Sequence, residues 1–287
     1  MKKLIQNPRF HLLCSIIAAI PAALLQALAY LQVYGDSGSN YFSSASPLPD
    51  LAVIFALLSC AFGVAAVCLW KKAPIHPRTP SGSLTSIPAA LGFWAGAVLM
   101  LLSNDTKLTY AVAIFFFLAA AYQLLLAFQT IKDSFLTAFI GFSAVIGCIL
   151  LEGYYYFDAT LEMNAPVKVS VLIGLLFAMI YYTNELRWLI GNPFPRANLL
   201  ISACLLGIGA LSAIPVPLAF LLGKFDRLAS VKTDRFMVAQ FLHPEYLAGA
   251  VVLLGVCITV GWRLCQLLKD NASTAHQIAD ESGKEEA

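Results

Sequence analysis

Unbroken runs of apolar residues dominate the chain, separated by short polar stretches. A bilayer core is crossed by about 20 apolar residues at a helical rise of about 1.5 Å each. Eight runs meet that length: 10–33, 51–70, 86–102, 108–128, 135–156, 167–190, 197–222 and 247–268. They are continuous rather than alternating with period two, which predicts helices and not the strands of a barrel. Only those two architectures satisfy every backbone group in lipid. The expected fold class is therefore all-α: a polytopic transmembrane bundle of about eight helices, with a membrane domain over 1–268.

The gaps read as loops. Segment 35–50 (GDSGSNYFSSASPLPD) is rich in Gly, Ser and Pro, and 71–85 (KKAPIHPRTPSGSLT) carries three prolines. Segments 104–107, 130–134 and 191–196 are short enough to make their flanking helices antiparallel neighbours. In the seventh run Pro215 and Pro217 predict a kink or break, with a re-entrant segment as the alternative. The loop after it predicts an interfacial helix, capped by Thr233 or Asp234, with an apolar stripe of Met237, Val238, Phe241 and Leu242. A lid over a cavity is the alternative there. The tail 269–287 is polar and is expected to be disordered and cytoplasmic. The first run follows Lys2, Lys3 and Arg9, and Ala27-Leu28-Ala29 resembles a cleavage site. Its apolar run exceeds the roughly 7–15 residues of a signal peptide, so an uncleaved first helix is expected.

Composition agrees with a bilayer. Of 287 residues, 60% are hydrophobic and 12% charged, with a mean hydropathy of +0.78; a soluble domain carries about 25% charged residues. The net charge of +2 and the scatter of basic residues argue against nucleic acid as a partner. Seven cysteines lie in or beside apolar runs without a C-x-x-C pair, and read as small apolar residues. Of the 18 Lys and Arg residues, twelve fall on the face carrying both chain ends and six on the other. That bias predicts cytoplasmic ends and residence in the cell membrane. Four of the six minority charges sit between Lys224 and Arg235, against the rule.

Two carboxylates lie within predicted helices: Glu152 in LLEGYYYFD and Glu185 in MIYYTNELRWLIG. A charge at the bilayer centre costs at least about 2.5–3.5 kcal/mol, so such residues are rare and often functional. Both lie near predicted helix ends, where an interfacial carboxylate is the simpler reading. Tyr181, Asn184, Glu185 and Trp188 follow i, i+3, i+4, i+7 spacing and share a helical face. That face reads as a ligand or ion site, or as hydrogen-bonding glue between helices, while Arg187 projects elsewhere and snorkels. Gln26, with Pro21 nearby, marks a locally irregular first helix or another interhelical hydrogen bond; Gln123 and Gln129 are lesser instances. Tyr154, Tyr155 and Tyr156 read as an interfacial girdle. Gly92 and Gly96 form a GxxxG pattern that favours close helix packing within the molecule.

The Walker A, nucleophile-elbow and zincin motifs are absent. His11, His76, His243 and His276 are too dispersed for a metal or haem, so no cofactor is expected. The ligand or ion-pathway candidates are Glu185, Asn184, Tyr181, Glu152 and Gln26. A permease-like protein or an accessory membrane subunit is the reading these features favour, with the lipid bilayer and a further membrane protein as partners. The alternatives are an intramembrane enzyme using Glu152 or Glu185, and a membrane sensor or assembly factor.

Overall fold

In a computed structural model, residues 6–32, 46–70, 84–103, 106–128, 135–157, 166–191, 194–222 and 244–285 are described. They are helical almost throughout. The helices are α1 (Pro8–Gln32), α2 (Leu48–Leu69), α3 (Ile87–Ser103, led by a 3-10 turn Leu84–Ser86), α4 (Lys107–Ala127), α5 (Phe135–Gly141), α6 (Ser143–Phe157), α7 (Pro166–Leu189), α8 (Pro195–Ala213), α9 (Pro215–Leu221) and α10 (Pro244–Glu285). They make eight segments long and apolar enough to cross a membrane, as the apolar runs predict. α5 with α6 forms the fifth span, and α8 with α9 the seventh.

Proline places many of the boundaries. Pro8, Pro166, Pro195, Pro215 and Pro244 each open a helix, where the missing N–H has no intrahelical partner to lose. Within the seventh span Pro215 and Pro217 remove donors that Leu211 and Ala213 would need. The span accordingly breaks at Ile214 (φ −101°, ψ −48°) and restarts as α9. Pro21, alone in the middle of α1, leaves that helix continuous. Of the two readings of Gln26, a locally irregular helix or an interhelical hydrogen bond, the continuous α1 does not show the first. α7 ends at Leu189, and Gly191 just beyond it has a φ of +80°, the left-handed conformation open to glycine.

The fifth span has a turn at Phe142 between α5 and α6, across which Phe142 N–H still donates to Ala138 O and Ile146 N–H to Phe142 O. Beyond its apolar stretch, α10 runs on to Glu285. That helix of 42 residues is about 63 Å long. A helix already nucleated in the bilayer extends one bond per residue without the initial entropy loss, which lets polar sequence remain helical. The loops expected over 35–50 and 71–85 and the interfacial helix with its Met237, Val238, Phe241 and Leu242 stripe lie outside the described residues, apart from a few residues at the loop ends.

Small residues face inward and large aliphatic ones outward. The buried stripe of α2 is Ala52, Ala56, Ser59, Gly63 and Ala66. On α1, Leu13, Ile17, Ile20, Leu24 and Leu28 are 44–57% exposed, while Ala18, Ala19, Ala22 and Ala23 are buried. In water this arrangement would be inside out; in lipid, which offers oily side chains no reason to hide, it is what close packing produces. α1 and α2 are clasped reciprocally: Ser15 Oγ donates to Ser59 O and Ser59 Oγ to Ser15 O, both at 2.8 Å.

The tightest approach joins α3 to α10. A Cβ added to Gly255 would lie 2.4 Å from Pro88 O and 2.9 Å from Gly92 Cα. One added to Gly92 would meet Val251 O at 3.0 Å, and one added to Gly96 would meet Val252 Cγ2 at 2.7 Å. The GxxxG pattern thus serves an intramolecular contact. Beside it, Thr259 Oγ1 accepts a 3.0 Å hydrogen bond from Ala89 N–H, one of the orphan donors in the first turn of α3.

Gly255→Ala should force α3 and α10 apart. Overpacking of this kind costs about 1–3 kcal/mol, read as a lower midpoint of thermal unfolding in detergent. Gly261→Ala, whose added methyl would meet only Leu206 Cδ1 at 3.6 Å, should leave the midpoint unchanged.

Candidate functional site

Alternating helix directions sort the polar residues by depth. The starts of α3 and α8 and the ends of α2, α7 and the membrane-spanning part of α10 share the face that carries the chain ends. Arg196, at the start of α8, reaches Trp70 O at the end of α2 at 3.5 Å.

At that face Arg263 projects from α10 into the bundle. Its side chain is 14% exposed, and that of Glu185 11%. Nε donates to Thr85 Oγ1 at 3.0 Å, and Nη2 to Ser86 Oγ at 2.8 Å. Nη1 donates to the Tyr181 hydroxyl and is ion-paired with Glu185 Oε1. Tyr181 OH in turn donates to Glu185 Oε1 at 3.0 Å. One guanidinium therefore joins the start of the third span, the end of the sixth and the end of the eighth. Arginine suits the position because its planar fork of five donors reaches several acceptors at once. The carboxylate supplies compensating charge in a medium that solvates neither ion.

The helical face singled out by spacing is thus partly assembled. Tyr181 and Glu185 belong to the cluster. Asn184 does not: its Nδ2 donates to Ile180 O of its own helix at 3.0 Å. Arg187 turns away and lies over the Phe194 ring, 3.8 Å from its centroid. Tyr182, next to Tyr181, is fully buried against Phe93, their rings 5.5 Å apart. Gln123 is also fully buried, and neither of its amide atoms has a partner among the described residues.

Glu152 and Gln26 lie toward the other face. Glu152 is five residues from the end of α6 and lines an open groove against α7. One of its carboxylate oxygens is buried without a hydrogen-bond partner among the described residues. Gln26 is buried near Tyr30 of α1, whose hydroxyl also neighbours Ser170 of α7. Lys168, read from sequence as a minority-face charge, is only 2% exposed. The tyrosine girdle is only partial. Tyr156 is 57% exposed, but Tyr155 is buried and its hydroxyl accepts from Gly249 N–H of α10 at 3.1 Å. Glu152 and Glu185 are therefore not brought to one site.

Sequence reasoning missed Arg263, treating it as a cytoplasmic surface charge, and missed Thr85 and Ser86, placed at a loop boundary. A signal was present. Val256, Val260, Leu264 and Leu267 form the buried stripe of α10, and Arg263 falls within it, seven residues after Val256 and three after Val260. All seven cysteines are free; Cys148 and Cys257 are buried, whereas Cys68 and Cys265 are exposed. Neither a protein-family model, nor a curated protein, nor a solved structure matches this chain.

Removing one member of the pair strands the other in a low-dielectric interior. Arg263→Leu or Glu185→Leu should each destabilise the protein by about 3–5 kcal/mol. The double variant E185L/R263L should recover most of that loss. Thermal unfolding of the three purified variants in one detergent measures the cycle.

Proposed function

We propose that this chain is a permease-like membrane protein whose Arg263–Glu185 pair latches α3, α7 and α10 together at the face of the chain ends. The observation that carries this reading is that Arg263, on the eighth span, donates to both the third and the sixth at one depth. Packing alone has no need of charge: apolar replacement of a buried ion pair is often neutral or stabilising. α3 is already held to α10 by Gly92 and Gly255. An ion pair ringed by hydroxyls differs from oily packing in having a second favourable state, with each partner hydrated once water enters. Such bistability is what a gate requires. Tyr181 holds the carboxylate in the closed arrangement, and Thr85 and Ser86 hold the guanidinium.

The second reading is an accessory subunit that holds another membrane protein. It is favoured by an apolar groove of about 500 Å³ between α1, the α8–α9 break and α10, lined by Ile20, Ala210, Ile214, Cys257 and Trp262 among others. Separation of Glu152 from Glu185 argues against an intramembrane enzyme that uses both. The Lys and Arg bias supports a cell-membrane location with the latch on the cytoplasmic side.

The Glu185→Leu variant, in which Arg263 keeps its charge but loses the carboxylate that closes the latch, separates the two main readings. Reconstituted into vesicles at normal yield, it should release a trapped small polar dye faster than wild type. Vesicles that stay equally tight would refute the latch as a gate and leave the accessory subunit standing.

A further inference from the structure

At the face away from the chain ends, α6 and α7 part to leave an open groove of about 390 Å³. Its walls include Ile149, Glu152, Tyr156, Leu172, Ile173 and Leu176. Helical rise orders them along the membrane normal. On α6, Ile149 is deepest, Glu152 lies about a turn nearer the surface, and Tyr156 another turn beyond. On α7 the descent runs from Leu172 to Leu176. The groove is oily toward the bilayer centre, carries one carboxyl group partway up, and ends beneath Tyr156 and Phe157, which are 57% and 82% exposed.

Glu152 presents an unmet demand. One of its oxygens is buried with no hydrogen-bond partner among the described residues, and the described residues that line the groove include no Lys, Arg or His. An ionised carboxylate only accepts hydrogen bonds, so the fitting occupant brings donors and positive charge. A hard metal ion needs more oxygen ligands than one carboxylate provides. An ammonium group supplies three N–H donors, and the aromatic rings at the rim favour a cation. The apolar walls below suit a hydrocarbon chain pointing to the bilayer centre.

We propose that this groove binds a bilayer amphiphile headed by a primary ammonium, as in an aminophospholipid, with the ammonium on Glu152 and one acyl chain along Ile149, Leu172 and Leu176. A lipid in that leaflet already lies head outward and tail inward, matching the order of the walls. A trimethylammonium headgroup has the same charge without N–H donors, so the site selects against it.

Native mass spectrometry of the purified full chain, released from micelles doped with phosphatidylethanolamine or phosphatidylcholine, tests this. Wild type should retain the ethanolamine lipid over the choline lipid by about tenfold, and Glu152→Gln should abolish the preference. Gly153 also lines the groove, and a Cβ there meets no atom within 4 Å. Gly153→Leu should therefore fill the space while leaving Glu152 in place, and lose both lipids. Where Glu152→Gln fails to fold, Gly153→Leu decides alone. Equal retention of both headgroups by wild type, or a preference that survives the folded variants, would overturn the proposal.

Discussion

Helices in lipid gain nothing by hiding oily side chains from one another, since the surrounding acyl chains are equally oily. What holds them together is close contact of backbones and the pairing of polar groups that lipid cannot solvate. The rest of this structure follows from that constraint. Ser59 and Gly63 on α2 and Gly92 and Gly255 between α3 and α10 bring main chains within reach, and large aliphatic residues are left to the outside. Thr259 then serves a first-turn backbone donor of α3 that would otherwise be stranded, and the Tyr155 hydroxyl accepts from Gly249 N–H of α10.

Arg263 is the extreme case of the same rule. Its charge cannot remain in the bundle unless acceptors converge on it, and they come from two other spans, the third and the sixth. The close fit of α3 to α10 puts Thr85 and Ser86 within reach of the guanidinium, and the antiparallel return of α7 brings Tyr181 and Glu185. The polar cluster is thus a consequence of glycine packing deeper in the membrane. It also ties helix ends that lie far apart in the chain.

At the opposite face the polar groups are dispersed. Gln26, Tyr30 and Ser170 join α1 to α7, while Glu152 stands apart in its groove. One face is clasped by the Arg263–Glu185 pair; toward the other lie the buried Lys168, the Glu152 groove and the proline break at Ile214. The proposed gate belongs to the first face and the proposed lipid site to the second.

The spans, their number and the break in the seventh were legible in the sequence, because they depend on local properties: the length of an apolar run, the missing N–H of Pro215 and Pro217, and the rise per residue. The face shared by Tyr181 and Glu185 was legible for the same reason, since helical periodicity is local. The close packing of Gly92 could be read only as a tendency, because a small residue shows that a neighbour can approach without saying which one. Which neighbour approaches, which carboxylate meets Arg263, and that Asn184 and Glu152 stand outside that cluster were decided by tertiary structure. A side chain's partner on another helix depends on how eight cylinders pack together, and no spacing along a single strand of sequence encodes that distance.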